Sequence, residues 1–234
     1  MIYAVLLAAG YSTRMVSSTI PKQFQLTNGE PILRMVCDKF LVCSKIDKII
    51  VVAPSIWLSH AKDILKNNRY NEIEICEGGK TRQESLFKAL KYINDKYHST
   101  DDDIVISHDV ARPFLSLRVI EENISTLNEY DACDTVIPSS DTIVVSNNNK
   151  TISNIPDRRI MYQGQTPQSF RLKKFLELYS KLDDDYLNCV TDAARILHDH
   201  GIKVGLVIGD EFNIKITTDY DFRIASFLIG ETNA

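Results

Sequence analysis

The sequence predicts an α/β protein built on a doubly wound, mostly parallel sheet. Three observations predict it. Strand-like apolar runs alternate with segments of helical periodicity across residues 2–138. Runs such as Ile2–Leu7 and Lys48–Ala53 are apolar nearly throughout, as expected of strands covered on both faces. Clusters of charged or small residues follow Leu7, Cys76 and Ser107, at the strand ends where such sheets receive ligands.

The elements follow in order. After the strand Ile2–Leu7 comes a helix over Pro31–Cys43, with Pro31 acceptable in its first turn. Lys48–Ala53 is a strand, Ile56–Asn67 a helix and Glu72–Cys76 a short strand. Gly78-Gly79 makes a turn, and Thr81 opens a helix through Asn94, with Glu84 three residues on as in a capping box. Asp103–Ser107 is a strand, Leu117–Asn128 a helix and Ala132–Pro138 a strand. The rhythm then breaks. Asp141–Val145 and Thr151–Ile155 read as two short strands around Asn147–Asn149, a hairpin additional to the sheet. Helices over Leu172–Lys181 and Thr191–His200, a strand at Lys203–Ile208, the strand-like Phe212–Ile216 and a helix Tyr220–Leu228 complete the chain.

The 234 residues suit one domain, 1–234, with 139–162 as a protruding β-arm. A formal net charge of −4 argues against a general nucleic-acid binder. An acidic protein with an anionic substrate must gather its cations locally. Cys37, Cys43, Cys76, Cys133 and Cys189 are odd in number and form no Cys-x-x-Cys pair, which reads as free thiols in a reducing compartment. Cys76 and Cys133 fall in apolar runs and are expected in the core. The chain enters a strand with no basic leader pattern, and no apolar stretch approaches the roughly 20 residues of a membrane span. A cytoplasmic protein is expected.

The first cluster is Ala8-Ala9-Gly10 with Arg14 and Lys22 behind it. Small residues let a ligand approach the backbone, whose N–H groups can wrap phosphate oxygens. No Gly-Lys-Ser/Thr follows, so it is not a Walker loop, and Gly10 alone does not make a dinucleotide fingerprint. Read by itself it is equally a tight turn with solvated charges. The second cluster, Gly78 to Ser85, puts Arg82 and Ser85 on one face at a helix N-terminus, a place that favours anions. In the third, Ser107 to Phe114, Asp109 projects from a strand end where a carboxylate can hold a divalent cation. Arg112 can brace that loop by pairing with a neighbouring carboxylate, and His108 is a candidate general base. A phosphate nucleophile, however, is already ionised near neutral pH. Asp157 to Phe170, Thr191-Asp192 and Asn213 to Thr217 follow. There Lys215 is either an edge-strand charge or an anion ligand.

Together these motifs resemble the cytidylyltransferases that activate polyol phosphates, from Ile2 to about Ile229. The resemblance implies a Rossmann-like nucleotidyltransferase that moves CMP from CTP to a polyol phosphate with Mg²⁺. It implies that Leu7, Ala8, Ala9 and Gly10 hold CTP together with Gly79, Lys80, Thr81, Arg82, Gln83, Glu84 and Ser85. It gives Arg14, Lys22, Arg158 and Lys215 catalytic roles and Asp109 the metal. Arg112, Thr142, Arg158, Thr191 and Lys215 would position the acceptor. The 139–162 arm resembles the family's dimerisation arm, which would carry Thr142 and Arg158 into a partner's site. Ser12 stands where the family usually has a second glycine. The stretches Asp141–Val144 and Arg158–Phe170 look more like the branch acting on D-ribitol 5-phosphate than the one acting on 2-C-methyl-D-erythritol 4-phosphate. Two other classes fit parts of the chain, a nucleotide-binding module without turnover and a dinucleotide-dependent oxidoreductase. The four groups Arg14, Lys22, Asp109 and Lys215 weigh against the first, and the missing fingerprint against the second.

Overall fold

The computed structural model describes residues 1–10 and 20–232. In chain order the elements are β1 (Ile2–Leu7), β2 (Leu26–Thr27), β3 (Glu30–Pro31), α1 (Ile32–Leu41), β4 (Lys48–Ala53) and α2 (Leu58–Ile64). Next come β5 (Ile73–Glu77), α3 (Arg82–Tyr97), β6 (Ile104–Asp109), α4 (Leu117–Thr126), β7 (Ala132–Pro138) and β8 (Tyr162–Arg171). The chain closes with α5 (Leu172–Tyr179), α6 (Asp184–Cys189), α7 (Ala193–Asp199), β9 (Val204–Ile208) and α8 (Asp219–Thr232).

Seven strands form one sheet in the order β5-β4-β1-β6-β8-β7-β9, and β2-β3 form a separate small ribbon. All neighbours in the large sheet are parallel except β8, which runs antiparallel to both β6 and β7. Two cores cover the faces. Along β1, Ala4 and Leu6 pack on the side of α1, α2 and α4, while Tyr3, Val5 and Leu7 pack on the side of α3, α5 and α7. This period-two division explains why β1 is apolar throughout. From β1 the chain winds outward to β4 and β5, then crosses the other face through α3 to enter β6. The order therefore reverses between β1 and β6, where Leu7 pairs with Asp109. Clefts in open α/β sheets form at such a reversal.

Four features differ from what the sequence predicts. Tyr162–Arg171, where the sequence pattern marks no element, is a ten-residue strand inside the sheet. Its sequence is polar and holds Gly164 and Pro167, which hides a strand. Buried partners replace the apolar face: Ser169 donates to Asn123 Oδ1, and Thr135 donates to the Pro167 carbonyl. The register slips between Asp134 and Val136, opposite Pro167, which has no N–H to give a ladder. Second, the arm has no paired strands among the described residues. A single bridge joins Val145 and Asn154. Asn148 instead accepts from the backbone N–H groups of Lys150 and Thr151, closing the turn with its side chain. Third, Phe212–Ile216 is irregular, tied to the sheet's end by a bond from Ile216 N–H to the Ala111 carbonyl. Fourth, Cys76 is only part-buried, because β5 is the edge strand, whereas Cys133 is buried. All five thiols are free. Among the described residues no helix is long and apolar enough to cross a membrane.

Candidate active site

The reversal between β1 and β6 opens into a cleft of about 260 Å³. Its floor is the turn after β1. Ala8 N–H bonds the Val52 carbonyl at 2.8 Å. The side-chain amide of Gln23, itself buried, donates to the carbonyls of Ala8 at 2.6 Å and Gly10 at 2.9 Å. With those carbonyls turned toward Gln23, the turn is held in shape. Gly78 allows the β5–α3 loop to lie against it. A Cβ there would come within 2.6 Å of Ala9 Cβ. Thr81 caps α3 by accepting from Glu84 N–H, and Glu84 reaches back to Lys80 N–H at 2.7 Å. The box thus closes one residue earlier than its usual form. Ser85 Oγ accepts from Gly79 N–H, which fixes that glycine's amide inside the loop.

Asp109 is the sole carboxylate among the described residues lining the cleft. Arg82 Nε donates to its Oδ1 at 2.9 Å, and Lys215 Nζ to its Oδ2 at 2.6 Å. Burial alone would raise this carboxyl's pKa. The two cations reverse that and hold it well below the usual carboxylate range. Asp109 is therefore an anion that aligns two cations. Arg82 Nη1 is buried without a hydrogen-bond partner among the described residues, a donor that a phosphate oxygen would satisfy. Lys22 is buried and lines the same cleft.

Behind the carboxylate runs a satisfied network. The Arg112 carbonyl can only accept, so His108 Nε2, 3.0 Å away, carries its proton. His108 Nδ1 then accepts from Thr166 Oγ1 at 3.0 Å, and Thr166 Oγ1 accepts from Asp109 N–H at 3.2 Å. Burial holds the imidazole at about 4, so it is neutral near pH 7. With both nitrogens engaged and no exposed surface, His108 has no route to a substrate proton. Arg112 Nη1 donates to the Asn213 carbonyl at 2.7 Å. Asn213 donates to the Thr166 carbonyl at 2.9 Å. These bonds pin the segment that carries Lys215.

Across residues 2–231 the chain matches a family model described as IspD: 2-C-methyl-D-erythritol 4-phosphate cytidylyltransferase. The chain belongs to this cytidylyltransferase family. It is 44% identical over 230 residues to the ribitol-5-phosphate cytidylyltransferase of Lactiplantibacillus plantarum, covering 98% of each chain. Its fold is similar to the 4-diphosphocytidyl-2C-methyl-D-erythritol synthase of Anaerococcus prevotii, with a TM-score of 0.82 at 28% identity, covering 98% of this chain and 96% of that one. It is also similar to the 2-C-methyl-D-erythritol 4-phosphate cytidylyltransferase of Francisella tularensis, with a TM-score of 0.78 at 30% identity, covering 97% and 98%.

As a cytidylyltransferase the chain is a CTP-dependent nucleotidyltransferase. Of the expected site residues, the fold gathers Leu7, Ala9, Gly10, Lys22, Lys80, Thr81, Arg82, Ser85, Asp109 and Lys215 around one cleft. Ala8, Gly79 and Glu84 shape its loops. Gln83 is buried with neither amide atom partnered among the described residues. Arg112 braces through carbonyls rather than through a carboxylate. Thr142, Arg158 and Thr191 are exposed and do not line this cleft, and Arg158 donates to the Ser140 carbonyl on its own arm. Arg14 and Ser12 lie outside the described residues. Gln23, Thr166 and Asn213 were missed, because each acts on backbone from a distant segment and leaves no local pattern.

A metal held by protein alone does not fit here. No group of three or more metal-ligating side chains occurs among the described residues, and both oxygens of Asp109 already pair with cations. Magnesium often takes one carboxylate plus substrate phosphates, and Asp109 is the one carboxylate among the described lining residues that could serve such an ion.

Proposed function

We propose that this cytidylyltransferase transfers CMP from CTP to D-ribitol 5-phosphate, giving CDP-ribitol and pyrophosphate. The observation that carries this acceptor is the 44% identity, over nearly full length, to the Lactiplantibacillus plantarum ribitol-5-phosphate enzyme. The methylerythritol-phosphate structures of the same fold stand at 22–30%. The family model's own description favours 2-C-methyl-D-erythritol 4-phosphate and makes that acceptor the second reading.

The acceptor phosphate attacks the α-phosphorus of CTP in line, and the bond from the α-phosphorus to the bridging oxygen breaks to release pyrophosphate. The nucleophile is already ionised, so the task is to bring two polyanions together. Ala8 to Gly10 and the α3 N-terminus receive the triphosphate. Lys22 and Arg14 offset charge growing at the α-phosphorus. Lys215, aligned by Asp109, receives the acceptor phosphate. When bound with the triphosphate, Mg²⁺ would supply charge neutralisation, with Asp109 as the residue that would hold it. The chain works in the cytoplasm as a homodimer. Its arm exposes Val144, Ile152, Ile155 and Ile160, apolar surface suited to a second copy. That copy would bring Thr142 and Arg158 to the acceptor, with Thr191 beside it.

Purified protein incubated with CTP and Mg²⁺ should release pyrophosphate when ribitol 5-phosphate is added. Release with methylerythritol phosphate alone would move the acceptor to the second reading.

A further inference from the structure

We propose that Asp134 binds the hydroxyl chain of the acceptor and so sets the preference for a long, unbranched polyol. This rests on the ribitol phosphate reading above. Ser107, Gln168 and Asp134 sit abreast on β6, β8 and β7. Their side chains therefore share one face of the sheet, and Asp109, two residues beyond Ser107, shares it too. Two strand spacings, about 10 Å, separate Asp134 from the Asp109 strand. The displacement is away from β1 and its nucleotide loop, along the line an acceptor chain would follow from a phosphate at Lys215.

Asp134 is held but not consumed. Ala193 N–H donates to Gln168 Oε1 at 3.1 Å, which turns the amide so that its Nε2 donates to Asp134 Oδ1 at 3.1 Å. Oδ2 has no hydrogen-bond partner among the described residues. It borders the open space left by Gly164, 3.8 Å from where a Cβ would stand, and apart from the glycine and its chain neighbours no other described atom lies within 4 Å of that point. No cation among the described residues forms an ion pair with Asp134. Arg82 and Arg112 act on it only from a distance, and burial lifts its carboxyl to about 6.

A half-buried carboxylate beside a site for two polyanions repels both. It is favourable only toward hydrogen-bond donors, and the acceptor's hydroxyls are such donors. Support of Gln168 does not need the charge, because an asparagine would accept the same bond at lower desolvation cost.

The test compares Asp134→Asn and Asp134→Ala with the unaltered enzyme, using ribitol 5-phosphate and the shorter erythritol 4-phosphate. Asp134→Asn keeps the shape and the bond from Gln168, which guards against misfolding of the alanine variant. The expected KM for ribitol 5-phosphate rises about 10-fold or more, with KM for CTP within about twofold. The kcat/KM preference for the longer polyol should fall toward parity. A structural role would lower thermal stability and kcat while leaving the preference in place, and that result overturns the proposal. If the unaltered enzyme makes no product from ribitol 5-phosphate, the acceptor assignment itself fails before any variant is compared.

Discussion

Asp109 and Lys215 are 106 positions apart in the chain and 2.6 Å apart in the fold. The distance is set by two unrelated segments. Asp109 ends a central strand that pairs with β1, and Lys215 rides on a segment pinned by Arg112 and Asn213. Removing Lys215 leaves Asp109 buried with Arg82 as its remaining ion-pair partner among the described residues. Lys215→Ala is expected to lower kcat/KM by roughly 10²–10³, the loss typical of one preorganised charge contact to a transition state. Steady-state kinetics checks this, and Lys22→Ala should cost a similar factor.

Gln23→Ala removes two bonds to the carbonyls of Ala8 and Gly10. At about 1 kcal/mol each, the variant should lose about 2 kcal/mol of stability. The nucleotide turn should loosen, so KM for CTP should rise more than KM for the acceptor. Denaturant unfolding and initial rates measure the two effects.

His108 gives a pH signature. Its folded pKa is lowered from 6.5 to about 4 by burial, so between those values the unfolded chain binds the extra proton. Stability from this group is full above pH 6.5 and falls as pH drops toward 4, by an amount on the order of 3 kcal/mol. Asp134 opposes it. Its folded pKa is raised to about 6, so it favours the folded state at low pH and loses that contribution as pH rises from about 4 to 6. The two are separable by mutation. His108→Gln should flatten the fall in Tm between pH 6.5 and 4, and Asp134→Asn should steepen it.

The centre of the sheet was legible because β1 and β4 are buried on both faces along nearly all their length and stay almost wholly apolar. Ile2–Leu7 and Lys48–Ala53 match their predicted bounds residue for residue. The strand β8 was not legible. Its buried Gln165, Thr166, Gln168 and Ser169 satisfy their polarity through residues far along the chain, and hydrophobic period cannot report that. The same holds at the site. Gly78, Arg82 and Asp109 announce themselves by residue type at strand ends. Gln23 and Asn213 act on backbone carbonyls and amides from afar, so only the fold reveals them. Arg112 was expected to pair with a carboxylate, and carbonyls of Asn213 and Gly164 took that place.

Thr142 and Arg158 stand outside the cleft of their own chain, which makes the proposed dimer testable by complementation. Arg158→Ala and Lys215→Ala should each be nearly inactive. Mixed and allowed to exchange, they should recover about a quarter of full activity, since in a two-fold dimer half the molecules would carry one intact site. No recovery between freely exchanging subunits would place Arg158 outside the partner's cleft.

The most direct test follows the label of α-³²P CTP incubated with ribitol 5-phosphate and Mg²⁺. Attack by the acceptor phosphate on the α-phosphorus predicts that all transferred label appears in CDP-ribitol and none in pyrophosphate, with turnover requiring the acceptor. Label released as free CMP, at a rate the acceptor does not change, would contradict cytidylyl transfer to this polyol phosphate.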